Sequence, residues 1–135
     1  MTLSQDEAFA RIRLLRSPNV GPVSYAQVLR RFGDAQKALE ALPDLAARGK
    51  RDYRPAPVGR IEDEVAEVRR AGARYLFHDS PDYPALLGAI EGAPPILTVK
   101  GDASLAAIAV LVVWLHRANI RRLLAGEEPK IGSKA

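Results

Sequence analysis

Two prolines, an asparagine and a glycine fall within six residues, Ser17-Pro18-Asn19-Val20-Gly21-Pro22, between two stretches of helical periodicity. Proline fixes φ and removes an amide donor, so neither flanking helix is expected to run through this segment. Upstream, Ser4 and Glu7 have capping-box spacing, and Phe9, Ile12 and either Leu15 or Arg16 recur at helical intervals. An amphipathic helix is predicted over residues 4–16. Downstream, Pro22 suits the first position of a new helix, where its missing N–H is no loss. Val23 to Phe32 then reads as helix with Val28, Leu29 and Phe32 facing inward, ended by Gly33. The turn forces a pair of short helices joined by a tight hairpin.

The helical pattern continues to residue 72 and then changes. Asp34 is a cap for Ala35–Leu42, a helix expected to stop at Pro43, and Asp44–Arg48 reads as one further turn closed by Gly49. The basic, proline-containing stretch from Lys50 to Gly59 reads as a loop. Ile61–Ala71 is an amphipathic helix with Ile61, Val65 and Val68 on one side and Gly72 at its end. Arg74–His78 is short and aromatic-rich, the composition of a strand. A turn over Ser80–Pro84, a short helix over Ala85–Ile90 and a second strand over Ile96–Lys100 follow. Too few strands are present for a self-supporting sheet, so 73–102 reads as the truncated start of an α/β unit. The expected class is α+β, mostly helical: a helical module over 1–72, the α/β start over 73–102, and an apolar-to-basic helix and tail over 103–135.

Composition narrows the function. An apolar fraction of 47% with 27% charged residues is that of a folded chain. The absence of cysteine excludes disulfides and thiolate chemistry, and with the acidic, polar start it points to the cytoplasm. Residues 1–60 carry 11 Lys and Arg against 6 Asp and Glu, and residues 61–100 carry 4 against 7. The basic first part favours a polyanionic partner or is a solvated Arg-rich surface.

The hairpin has its own chemistry. A tight turn into a helix leaves amides exposed at the helix N-terminus, where they and the helix dipole favour a phosphate. In helix-hairpin-helix elements glycines flank the apolar turn residue. Here Gly21 follows Val20, and Asn19, which tolerates left-handed backbone geometry, stands at the first position. Arg16, Asn19, Val20, Gly21, Ser24, Arg30 and Arg31 are the candidate DNA-binding residues. The alternative is a plain packing corner. His78 and Asp79 read as a strand-terminal polar pair and Tyr83 as a packing residue. No catalytic residue, metal site or cofactor is expected.

Leu14-Leu-Arg-Ser-Pro-Asn-Val-Gly-Pro22, Leu29-Arg-Arg-Phe-Gly33, Asp82-Tyr-Pro84 with Leu86-Leu-Gly-Ala-Ile90, and Pro94-Pro-Ile-Leu-Thr-Val-Lys-Gly101 form an ordered series. Over about residues 5–108 it resembles the N-terminal region of the DNA-processing protein A family (DprA, or Smf). The resemblance implies a SAM-like helical domain ahead of a Rossmann-like domain, single-stranded DNA as ligand, and delivery of that strand to the RecA recombinase in natural transformation. It also implies a Gly-Ser/Ala-Arg pocket motif, and Leu111-Val-Val-Trp114 stands in its place.

The tail resembles another family. Leu111-Val-Val-Trp-Leu-His-Arg-Ala-Asn-Ile-Arg-Arg-Leu-Leu-Ala-Gly-Glu-Glu-Pro-Lys-Ile-Gly132 is similar to the C-terminus of the PlsY glycerol-3-phosphate acyltransferases. On that resemblance His116, Asn119 and Glu128 take the motif's polar positions. The apolar run Ala103–Leu115 has 13 residues, short of the roughly 20 that cross a bilayer. It is expected to pack on the strands, to bring residues 103–125 onto a membrane surface, or to self-associate. The sequence therefore reads as a non-enzymatic DprA-like fragment joined near residue 106 to an acyltransferase tail, with weak single-strand binding. A protein-interaction module, a fusion remnant and an inactive membrane-associated tail are the alternatives.

Overall fold

The computed structural model describes residues 3–49 and 53–102. Its first helix, α1 (Gln5–Leu15), begins where the Ser4 hydroxyl accepts the Glu7 amide at 3.1 Å, with Asp6 and Glu7 complementing the dipole of the first turn. The Glu7 carboxylate is spent elsewhere. Both of its oxygens accept the Ala35 amide at 3.1 Å, so it caps the helix that starts at Ala35, and one accepts Arg11 Nε at 2.9 Å.

The hairpin leads into α2 (Pro22–Phe32), which Gly33 ends at φ 85, a left-handed conformation that favours glycine. Asp34 then accepts the Lys37 amide at 2.8 Å and starts α3 (Ala35–Arg48). The expected stop at Pro43 is corrected: the helix continues through it as one element. Proline removes one rung of the hydrogen-bond ladder. Leu42, fully buried, and Leu45 place core contacts on either side of that gap and hold the helix axis. Likewise α4 (Val58–Arg70) starts a turn earlier than its apolar stripe suggests, directly after Pro57.

After Gly72 come β1 (Ala73–Phe77), a four-residue helix α5 (Ala85–Gly88) and β2 (Ile96–Lys100). The strands pair antiparallel, Ala73 opposite Lys100 and Phe77 opposite Ile96. The described part of the chain is a mostly helical α+β fold carrying a small two-stranded sheet.

α1 stands between two apolar clusters. Ala10 and Leu14 on one flank join Val20, Tyr25, Ala35, Ala38, Leu39 and Leu42, uniting α1, the hairpin, α2 and α3. On the other flank Ile12 meets Ala56 and Ile61, with Phe9, Val65, Tyr75, Phe77 and Ile96 packed around them. That second cluster fastens the strand pair to the helices.

Candidate nucleic-acid interface

The hairpin is built from its polar ends inward. Ser17, 4% exposed, donates its hydroxyl to the Arg13 carbonyl at 2.8 Å and accepts the Ala56 amide at 3.0 Å. The Val20 amide donates to the Ser17 carbonyl at 3.2 Å, and the Val20 side chain is buried in the first cluster. Asn19 is left-handed at φ 63. Gly21 differs: φ is −94°, a conformation any residue adopts, and a Cβ placed there meets nothing within 4 Å. Neither backbone strain nor internal crowding calls for glycine at this position. No side chain caps α2, and Pro22 has no N–H, so the Val23 and Ser24 amides stand without a side-chain acceptor at the positive end of the helix dipole.

The candidate arginines divide. Arg16 forms a fork with Glu64 of α4, its Nε lying 3.0 and 3.2 Å from the two oxygens and its Nη2 2.8 Å from one. Hydrogen bonding to Glu64 raises the Arg16 pKa and in return lowers that of Glu64. Tyr75 adds its hydroxyl to the same carboxylate at 3.2 Å, and its own pKa is pushed up to about 12, first by burial and then by the Glu64 charge. Arg16 thus ties α1 to α4 and β1. Arg30 and Arg31 are exposed on α2. Arg31 lies over the Phe32 ring at 5.5 Å, while Arg30 turns toward a groove. At 100° per residue Ser24 lies on the Arg31 side of α2, away from that groove.

The groove, of about 430 Å³, runs between α2 and the chain segments at His78–Asp79 and Ile90–Pro95. Its floor includes Tyr25, 4% exposed, whose pKa burial pushes up to about 12. Arg11 crosses beneath it, with Nη1 2.7 and 2.9 Å from the Asp79 oxygens and its guanidinium 6.0 Å from the Phe77 ring centroid. Burial pulls the Arg11 pKa down, and hydrogen bonds to Asp79 and Glu7 outweigh that and raise it. Tyr83 donates to the Pro94 carbonyl at 2.6 Å and stands 4.9 Å from the His78 ring.

Residues 5–66 match the family described as the DprA-like N-terminal HHH domain. The match makes this part of the chain similar to the N-terminal domain of that family. Short stretches are similar to proteins of another name. A glycerol-3-phosphate acyltransferase of Erythrobacter litoralis is 74% identical over 27 residues, 20% of this chain and 14% of that protein. Proteins of the same name from Synechococcus sp. and Maricaulis maris are 45% identical over 49 residues and 50% identical over 54. Those matches cover 33% and 37% of this chain and 24% and 25% of the relatives' own lengths. They overturn one expectation: a chain read as non-enzymatic shares these stretches with proteins named for an enzyme.

The DprA-like domain takes in all seven candidate DNA-binding residues, and it supplies only one wall of the groove. The opposite wall, from His78 to Pro95, lies beyond it. Sequence reasoning missed this groove. The available signal was Val23, an apolar residue off the inward stripe of α2 and 59% exposed. His116, Asn119 and Glu128, with the whole 103–135 segment and its expected membrane or self-association contacts, lie outside the described residues. Among the described residues no three His, Asp or Glu side chains converge as a metal set, and no helix is long and apolar enough to cross a membrane.

Proposed function

We propose that this chain binds single-stranded DNA through the hairpin at Asn19–Gly21, the uncapped amides at the start of α2, and the exposed Arg30 and Arg31. The observation that carries the reading is the match of residues 5–66 to the DprA-like domain. The open Cβ position at Gly21 supports it, since an absent side chain that the fold does not need leaves room for a phosphate. Arg16 serves the reading indirectly, by holding α1 against α4 through Glu64. Binding is weak and salt-sensitive, because Glu64 holds Arg16 and only Arg30 and Arg31 of the candidate arginines remain to meet phosphates. Delivery of the strand to RecA in natural transformation, in the cytoplasm, is the role that goes with this reading.

Fluorescence anisotropy of labelled single-stranded DNA at low and near-physiological salt tests it. Wild-type protein saturates with a defined log–log salt slope. Arg30→Glu with Arg31→Glu lowers the slope by about two and the affinity at least about tenfold. Gly21→Val keeps the fold and weakens binding. No binding at low salt rejects the reading.

A second reading rests on the stretches shared with acyltransferases: acyl transfer to glycerol-3-phosphate, with His116, Asn119 and Glu128 as motif residues. Incubating the chain with acyl phosphate and glycerol-3-phosphate decides it. Product that disappears in His116→Ala supports it, and no product above background removes it.

A further inference from the structure

We propose that the groove between α2 and the His78–Asp79 and Ile90–Pro95 segments is a base-binding slot, which seats an unstacked base of the strand whose phosphate lies at the hairpin. The inference rests on the single-strand reading above and adds a second contact to it.

Continuity comes first. Pro22 and Val23, in the first turn of α2, line the groove, so it opens directly beside the uncapped start of that helix. Val23, Ala26 and Arg30 follow at spacings of three and four and form one stripe along this wall, apolar near the hairpin and cationic at the far end. Val23 is 59% exposed, and Ile90 on the facing wall is 46% exposed. Single exposed apolar residues are ordinary. Two that line opposite walls of one concavity of about 430 Å³, within the usual size range of small-ligand sites, form an apolar slot.

Charge then decides how a strand lies. The α2 side presents the helix N-terminus and Arg30, and the facing side carries Asp79 and Glu91. Asp79 is already paired with Arg11 at 2.7 Å. Glu91 repels phosphate from its wall. A strand therefore keeps its phosphates along α2 and turns its bases into the slot, where Val23, Ile90 and the exposed imidazole of His78 offer apolar and stacking contact. Bases paired and stacked within a duplex cannot make that turn, so the slot selects single strands.

The test compares two labelled strands of equal length on the full chain at low salt, an oligothymidylate and an abasic strand. Wild-type protein binds oligothymidylate at least about fivefold more tightly, the worth of one stacked base. In Val23→Ser with Ile90→Ser that ratio falls to about one. Both positions are exposed, and circular dichroism checks that the helices persist. Equal affinity of the wild type for both strands, or an undiminished ratio in the double variant, overturns the slot and leaves the hairpin reading standing. Failure of the wild type to bind either strand overturns both.

Discussion

The two flanks of α1 are held in different ways. Toward α2 and α3 the contact is apolar, with Leu14, Ala35, Ala38 and Leu42 almost wholly excluded from water. Toward α4 and the strands, among the described residues, only Ile12, Ala56 and Ile61 are buried in the cluster, and polar groups do much of the joining. Arg13 and Ser17 satisfy both the carbonyl and the amide of Ala56, at 2.7 and 3.0 Å. Arg11 spans from Glu7 to Asp79, and Arg16 spans to the carboxylate that also takes the Tyr75 hydroxyl. The difference shows where specificity comes from. An apolar cluster tolerates exchange of one hydrocarbon side chain for another of like volume, whereas a polar junction requires each group to find its mate. The candidate groove lies across the second kind of junction, so its shape depends on charge pairing as well as packing.

Leu42→Ala attacks the apolar flank and carries the largest expected effect. It removes a fully buried side chain from the centre of the first cluster and costs about 2–5 kcal/mol in a denaturant melt. A loss below about 1 kcal/mol would show that this cluster is not the main support of the helices. Ser17→Ala sharpens the contrast on the other flank. It strips the acceptor from the buried Ala56 amide and costs about 1–3 kcal/mol. Hydrogen exchange separates the two variants: Ser17→Ala speeds exchange at β1 and α4 more than at α2 and α3. Equal acceleration everywhere would mean that the two flanks open as one unit.

What was legible in the sequence follows the same division. The hairpin could be read because its rules are local: proline sets where α2 starts, Gly33 where it ends, and asparagine accepts the left-handed turn at residue 19. Strand β2 was legible from its bounding prolines and glycine. The continuation of α3 through Pro43 was not, because the burial of Leu42 and the packing of Leu45 are tertiary facts. Nor was the partner of Arg16, since Glu64 is 48 residues away and no local pattern marks it. Glu7 shows the point at a single residue. Its spacing from Ser4 marks a helix start, yet its carboxylate caps α3, a partner that only the folded chain supplies. The groove needed both walls, and one of them begins at His78, 48 residues after Arg30 of the other wall, at a cluster of turn residues.

Glu64 offers the finest test of the polar flank, through pH. Its hydrogen bonds to Arg16 hold its pKa below the usual glutamate value of 4.5. A carboxylate depressed in the folded state adds stability that is fully present above 4.5 and is lost as pH falls through the lowered folded value. The pair is partly open to solvent, so screening reduces its worth to about 1 kcal/mol. Glu64→Gln keeps the shape and one acceptor, removes the charge, and is expected to lower stability by about that amount at neutral pH. As pH falls below 4.5 and through the lowered folded value the variant and the wild type draw together, because the wild-type carboxylate then loses its charge as well. The alkaline limb has the opposite sign: Tyr75, raised to about 12, favours the fold only while protonated, so stability falls as pH climbs past 10 toward that value. Urea melts across pH 3–7 on the two proteins measure the acid limb. Parallel curves that never converge would assign the junction to packing around Ile12 and Ile61 and remove charge pairing from the account of how the groove is held.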